Sequence, residues 1–260
     1  MKHARYLPNF LGIGAPKAGT TWLWANLNKH PNIWMPPVKE LHYFERSPDY
    51  PSPSQLAGDT FLARILGAAE HNQQYRRLLR QGLRTSVRRP DWCRMRWYAR
   101  FLFGRINDDW YASLFRDAGE KIRGEITPSY SILTSEDVAR IHALMPYLKV
   151  IYLLRNPIDR AWSHIAHGWR TAALERTEDL ARLKSFVDDP NQTLRSDYLR
   201  TINLWRGYFP EQQVFLGLYD DIRSDPEGLL LRIFHFLGVD SAESGLANGA
   251  SDKVYAFAKE

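Results

Sequence analysis

The chain has 260 residues, 44% of them hydrophobic, with a formal net charge of +6. That length supports one well-buried core with an insertion and is short for two ordinary domains. A single cysteine, Cys93, excludes an internal disulfide and fits a reducing cytoplasm, while the basic balance predicts anionic partners without naming the anion.

Two basic residues precede the apolar run Phe10 to Ala15, which is too brief for a signal sequence or a membrane span and reads as a buried strand. A Gly/Pro loop follows, and then Thr20 to Lys29 presents Trp22, Leu23 and Leu27 at helical spacing. Between residues 46 and 119 the pattern changes to a Pro/Ser-rich loop and arginine-dense amphipathic segments, the expected insertion in a single domain spanning 1–260. From Arg76 to Arg105 there are ten arginines and one acid, Asp91, interleaved with Trp92, Trp97, Tyr98, Phe101 and Phe103. Two readings stay open for this stretch: surface helices docking their aromatics on the core, or a basic lid or patch facing an anionic acceptor or a membrane surface. Lys149 to Leu154 reads as a second buried strand, broken at Asn156-Pro157, after which Ile158 to Arg170 suits a helix. A third strand over Gln213 to Leu218 precedes Asp225-Pro226 and a helix over Glu227 to Leu237. Strands alternating with helices predict a three-layer α/β fold with a central parallel sheet.

The loop Gly14-Ala15-Pro16-Lys17-Ala18-Gly19-Thr20-Thr21 lies between a strand and a helix N-terminus, where backbone N–H groups and the helix dipole favour a phosphate. Gly14 and Gly19 have the separation of a nucleoside-triphosphatase P-loop, but Thr20 stands where that loop needs its lysine. Lys17 instead lies inside the loop, able to reach a bridging oxygen, and no acidic partner for magnesium is evident. Pro16 to Trp22 resembles the 5'-phosphosulfate-binding loop of sulfotransferases that use 3'-phosphoadenosine 5'-phosphosulfate (PAPS). The resemblance implies that Lys17 contacts the leaving phosphate, that Ala18, Gly19, Thr20 and Thr21 hold the 5'-phosphate through amides and hydroxyls, and that Trp22 stacks on adenine.

Arg155 ends the second strand and Ser163 follows eight residues later on the next helix, an arrangement that can hold a phosphate by charge-assisted hydrogen bonds. Leu154 to Ser163 resembles the same family's 3'-phosphate-binding motif, which implies that role for Arg155 and Ser163; outside it, Asp159 and Arg160 read as solvated charges. Tyr198, after Ser196-Asp197, matches a family tyrosine that contacts adenine, and equally a packed tyrosine behind a helix-capping pair.

Sulfuryl transfer needs an in-line acceptor, a base, and positive charge on the departing phosphate. In Lys39-Glu40-Leu41-His42-Tyr43-Phe44-Glu45, Glu40 and His42 share one face if the segment is extended. The string resembles the Glu-x-His-x-Phe segment of glycosaminoglycan-type and related bacterial sulfotransferases, which implies Glu40 as base, His42 as its orienting or acceptor-binding partner, and Lys17 as leaving-group stabiliser. Gly124 to Tyr130 resembles a family loop near the acceptor, which makes Glu125 and Tyr130 candidate acceptor contacts. Ile126 stands where heparan-type enzymes carry a lysine, which counts against a heparan-like acceptor. The resemblance spans Phe10 to Gly238. Beyond it, Lys253 is either a late phosphate contact or, the favoured reading, a solvated charge. His164 and His167 lie one helical turn apart, but no further ligand cluster accompanies them, so no metal is expected.

The expected reaction moves a sulfuryl group from PAPS to a hydroxyl or amine, leaving adenosine 3',5'-bisphosphate (PAP). Carbohydrate, lipid-linked glycan, peptide tyrosine and small natural product remain open as acceptors, with a tilt toward carbohydrate or another aliphatic alcohol. A P-loop kinase or triphosphatase would require a lysine directly after Gly19. A non-catalytic polyanion- or membrane-binding protein would rest on the arginine-rich segment. Nucleic acid is not an expected partner.

Overall fold

Five short strands, all parallel, form one sheet in the order β2-β3-β1-β4-β5 in this computed structural model, which describes residues 4–47, 49–50, 56–88, 91–171 and 174–240. The strands are β1 (Phe10–Gly14), β2 (Ile33–Trp34), β3 (Ile122–Ile126), β4 (Lys149–Leu154) and β5 (Val214–Leu218). All five residues of β1 are buried, as are Val150 to Leu153 of β4. This is the near-continuous apolar pattern of central parallel strands covered on both faces by helices. β1 pairs with β3 from Phe10↔Gly124 to Gly12↔Ile126, and with β4 from Phe10↔Lys149 to Gly14↔Tyr152. The parallel α/β architecture and the three strands expected from sequence are all present. β2 has only two residues and β3 carries Arg123, Gly124 and Glu125, so neither has a strand-like apolar run to read.

α1 (Thr20–Leu27) follows β1, and four helices lie between β2 and β3: α2 (Phe61–Leu66), α3 (Glu70–Arg88), α4 (Trp92–Phe103) and α5 (Asp108–Ser113). α6 (Ser135–Leu144) leads into β4 and α7 (Pro157–Arg170) leaves it; α8 (Leu180–Val187), α9 (Pro190–Ser196) and α10 (Tyr198–Arg206) lead to β5, and α11 (Asp221–Ser224) and α12 (Pro226–Leu237) follow. α7 begins where the sequence requires: Pro157 occupies the first turn, where its missing N–H costs nothing, and the Asn156 side chain caps the Ile158 and Asp159 amides. Because the strands are parallel, the loops that leave β1, β3 and β4 emerge at one edge of the sheet, the edge at which open α/β sheets bind ligands. Lys253 lies outside the described residues.

Candidate active site

The loop after β1 turns on two left-handed residues, Lys17 (φ 67°) and Gly19 (φ 87°). Gly19 is required twice over. Its φ is one that L side chains rarely adopt, and a Cβ there would stand 2.2 Å from Ile222 Cδ1. Gly19 is also the N-cap of α1 and brings no capping side chain, so the amides of the first helical turn, at Thr20 and Thr21, have no intrahelical acceptor. They point toward the loop with the positive end of the helix dipole behind them. Burial, set against the charge of Glu40 and reinforced by Arg170 and Lys39, lowers the Lys17 pKa to about 8.

Arg155, directly after β4, is wedged against this loop. Its Nη1 donates to the Lys17 carbonyl at 2.9 Å, and its guanidinium lies 4.2 Å from the centre of the Tyr219 ring. The Arg155 carbonyl accepts from the Tyr198 hydroxyl at 2.7 Å, so Tyr198 ties the start of α10 to the end of β4. Trp22 is only 8% exposed and packs in the core, so little of its ring is open to stacking. Ser163 is half-buried on α7.

Arg160 is not a solvated charge: it is completely buried. Its Nε donates to Ser196 Oγ at 2.9 Å, and its Nη2 to the backbone carbonyl and the Oε1 of Gln192 at 3.3 and 3.2 Å. Because an arginine can only donate, the Gln192 atom facing it is an oxygen, and the His164 Nδ1 that lies 3.0 Å from the same atom carries the proton. Burial, opposed by the Gln192 hydrogen bond and aided by Arg195, Lys17 and Arg160, lowers the His164 pKa to about 4, so this imidazole is neutral. Among the described residues, Arg155 Nε and Arg160 Nη1 are buried donors without a hydrogen-bond partner. Unpaired buried cationic donors, loop amides and a destabilised lysine ammonium at one sheet edge fit a ligand with several anionic groups.

The segment carrying Glu40 and His42 is irregular, not extended. Both residues are left-handed (φ 66° and 55°), so the extended condition for a shared face is not met, yet the two side chains still meet: His42 Nε2 lies 3.6 Å from Glu40 Oε2. The other ring nitrogen, Nδ1, donates in a very short contact to Glu45, a buried carboxylate that also accepts from Ser129 Oγ at 2.5 Å. Burial lowers the His42 pKa, but the charge of Glu45 and hydrogen bonds to Glu40 and Glu45 outweigh it and raise it to about 10. Burial raises the Glu40 pKa, and bonds and charges from His42 and Lys39 overturn that and bring it to about 2. The resting site therefore sets an ionised Glu40 beside a protonated His42. Glu45 went unread in the sequence, although its spacing of three residues from His42 was visible.

Glu125 and Tyr130 do not line an acceptor surface; both are buried. They clamp the backbone that lies between and beside the polar pair. Glu125 Oε2 accepts from the Leu41 amide at 3.2 Å and Thr127 Oγ1 at 2.7 Å, while Oε1 accepts from the hydroxyls of Tyr111 and Tyr130 at 2.8 and 2.9 Å. The Tyr130 hydroxyl in turn accepts from the Tyr43 amide at 2.9 Å. The Tyr43 ring stacks on Tyr111, centroids 4.5 Å apart, and its hydroxyl donates to Asp108 at 2.6 Å. Burial raises the Glu125 pKa against the opposing effect of its four hydrogen bonds. Leu41, Tyr43 and Phe44 are buried, while Glu40 and His42, on either side of Leu41, are only partly buried.

A sequence model of the sulfotransferase domain matches residues 7–254. The chain belongs to the sulfotransferase family. This sulfotransferase is 33% identical over 140 residues to the human heparan sulfate glucosamine 3-O-sulfotransferase 6, a match covering 50% of this chain and 39% of the other. It thus spans well under half the length of that curated relative. Membrane-associated sulfotransferase kil1 of Dictyostelium discoideum is 22% identical across 92% of this chain and 58% of its own. Among solved structures, the sulfotransferase from Alicyclobacillus acidocaldarius superposes with a TM-score of 0.63 at 23% identity, covering 96% of this chain and 86% of that one. Mouse sulfotransferase SULT7A1 complexed with PAP gives 0.53 at 17% identity, covering 95% and 64%. These structures share the fold of the sulfotransferase.

Proposed function

We propose that this sulfotransferase moves the sulfuryl group of PAPS to a hydroxyl, that of a carbohydrate or another aliphatic alcohol, with Glu40 as the base. The observation that carries the reading is the convergence of Glu40 on Lys17: a carboxylate from the loop after β2 acts electrostatically on the one lysine inside the phosphate-type loop after β1. Bound PAPS supplies an activated sulfuryl group on a bridging phosphate oxygen and departs as PAP. Glu40 accepts the proton of the acceptor hydroxyl as that oxygen bonds to sulfur and the bridging S–O bond breaks. Ionised at neutral pH, Glu40 is in the form a base requires. Lys17 carries the positive charge that meets the leaving phosphate oxygen. Thr20 and Thr21, with the amides of Ala18 and Gly19, hold the 5'-phosphate; Arg155 and Ser163 hold the 3'-phosphate, with the unpaired Arg160 Nη1 behind them. His42 orients Glu40 and is itself fixed by Glu45. The exposed thiol of Cys93 fits work in a reducing compartment.

The test is Glu40→Gln, assayed for sulfuryl transfer from PAPS across a panel of alcohols and sugars, with PAP affinity measured by calorimetry. Turnover should fall by about 10²–10⁴-fold, the usual contribution of a positioned base, with PAP affinity nearly unchanged. Wild-type turnover in the variant would remove Glu40 as base. Equal affinity of the wild-type protein for PAP and adenosine 5'-monophosphate would remove the proposed 3'-phosphate site.

A further inference from the structure

The helices between β2 and β3 leave an apolar stripe uncovered. In α4, Trp92, Ala99 and Phe103 recur at i, i+7 and i+11, with Arg96 among them at i+4, all within about 60° of arc on a helix of 3.6 residues per turn. All four are exposed, Trp92 by 76% and Phe103 by 52%. The opposite face anchors the helix: Trp97 and Phe101 are buried, and Trp97 Nε1 donates to the Leu114 carbonyl at 2.8 Å. The stripe is thus the outer face of a firmly held helix. α2 extends the apolar surface, with Leu62 and Leu66, one turn apart, 63% and 77% exposed. Arg64 ties α2 to the end of α4 by donating to the carbonyls of Leu102 and Gly104 at 2.8 and 3.0 Å, and Phe61 lies 5.0 Å from Phe103, centroid to centroid.

Cations accompany this surface: Arg96 stands within the α4 stripe and Arg105 follows it, both exposed, and Arg77 and Arg80 of α3 are exposed as well. The one acid among residues 76–105, Asp91, is engaged as the cap of α4, accepting from the amides of Cys93 and Arg94. A soluble anionic polymer would satisfy the arginines and leave Trp92, Phe103, Leu62 and Leu66 in water. A bilayer interface with anionic headgroups takes both, since apolar side chains enter the boundary layer while arginines meet the lipid phosphates. α4 is about 18 Å long at 1.5 Å per residue, and no described helix is long and apolar enough to cross a membrane, so the geometry is that of a helix lying in the surface plane. We propose that α2 and α4 dock the protein on an anionic lipid bilayer.

The experiment is co-sedimentation of the full chain with phosphatidylcholine vesicles, with and without phosphatidylserine, alongside binding to heparin. The wild type should partition onto the phosphatidylserine vesicles and not onto phosphatidylcholine alone. Trp92→Ser/Phe103→Ser should cut that partition about tenfold or more, as loss of buried apolar area requires, with heparin binding unchanged and the fold retained by circular dichroism. Arg96→Glu/Arg105→Glu should cut partition and heparin binding together. Failure of the wild type to bind phosphatidylserine vesicles would overturn the proposal. So would undiminished vesicle binding by the Trp92/Phe103 variant, which would reduce the surface to an arginine contact for any polyanion.

Discussion

Tyr130→Phe isolates the clamp beneath the site, because it deletes a single oxygen from a fully buried ring and leaves the packing of that ring in place. Two hydrogen bonds go with it: the one accepted from the Tyr43 amide and the one donated to Glu125, both 2.9 Å. Glu125 keeps three of its four donors, at Leu41, Thr127 and Tyr111, but the Tyr43 N–H is left buried beside a phenyl edge. An unsatisfied buried donor costs about 1–3 kcal/mol. That cost falls on the Glu40–Glu45 segment, whose two left-handed non-glycine residues are already unfavourable. If the hydrogen bond holds the segment against a relaxed alternative, the placed state loses roughly 5- to 150-fold in relative population. The assay is a pair: kcat with a fixed acceptor, and PAP affinity by calorimetry, with urea unfolding to measure stability. Expected are a loss of stability of about 1–3 kcal/mol, a fall in kcat and an unchanged PAP affinity. Lowered stability with wild-type kcat would show that the clamp supports the fold without placing Glu40. Parallel losses of kcat and PAP affinity would show that it supports the whole sheet edge.

Other outcomes follow from the same contacts. Arg155→Ala should weaken PAP binding by about 1.5–3 kcal/mol, the range of a hydrogen bond to a charged group, and calorimetry giving equal affinities would remove Arg155 from the site. Lys17, with its pKa at about 8, is charged below that pH and loses its proton above it. Wild-type PAP affinity should therefore fall by up to tenfold per pH unit above about pH 8, and Lys17→Arg should flatten that profile; a flat wild-type profile would contradict the burial of Lys17. His42 is raised from 6.5 to about 10, so its contribution to stability is complete below pH 6.5 and is lost as pH rises through about 10. Lys17, lowered, has the opposite slope, so the test is the difference between wild type and His42→Gln. That difference should shrink by at most about 1.4 kcal/mol per pH unit between pH 7 and 10, and a constant difference would show that His42 is not held charged.

Legibility in the sequence divides by the range of the contacts involved. β1, β4 and β5 are written as local apolar runs, and the Gly14–Thr21 loop and the Arg155–Ser163 segment stand out by their residue types at fixed short spacing. Arg160 was misread because burial is a tertiary fact. Its partners, Ser196 and Gln192, are more than thirty residues away, and no neighbour in sequence distinguishes it from the exposed Asp159 beside it. Glu125 and Tyr130 were misread for the same reason: their partners Leu41 and Tyr43 lie 84 and 87 residues away.

The Glu40–His42 pair shows how a local pattern can predict a meeting and miss its cause. An i, i+2 spacing places two side chains on one face of an extended strand, and the pair does meet, but through two left-handed residues. In that conformation Leu41 and Tyr43 drive inward, their amides are taken by Glu125 and Tyr130, and Glu40 and His42, on either side of Leu41, stay partly exposed. An extended strand at this position would pair its amides with a neighbouring backbone. Here a carboxylate and a phenol accept them, and those acceptors sit on β3 and the turn after it, beside the loop that holds Lys17. The position of Glu40 relative to Lys17 is therefore set by the pairing of β3 with β1, Leu11 opposite Glu125, and a register that no local spacing encodes governs the distance between the two side chains.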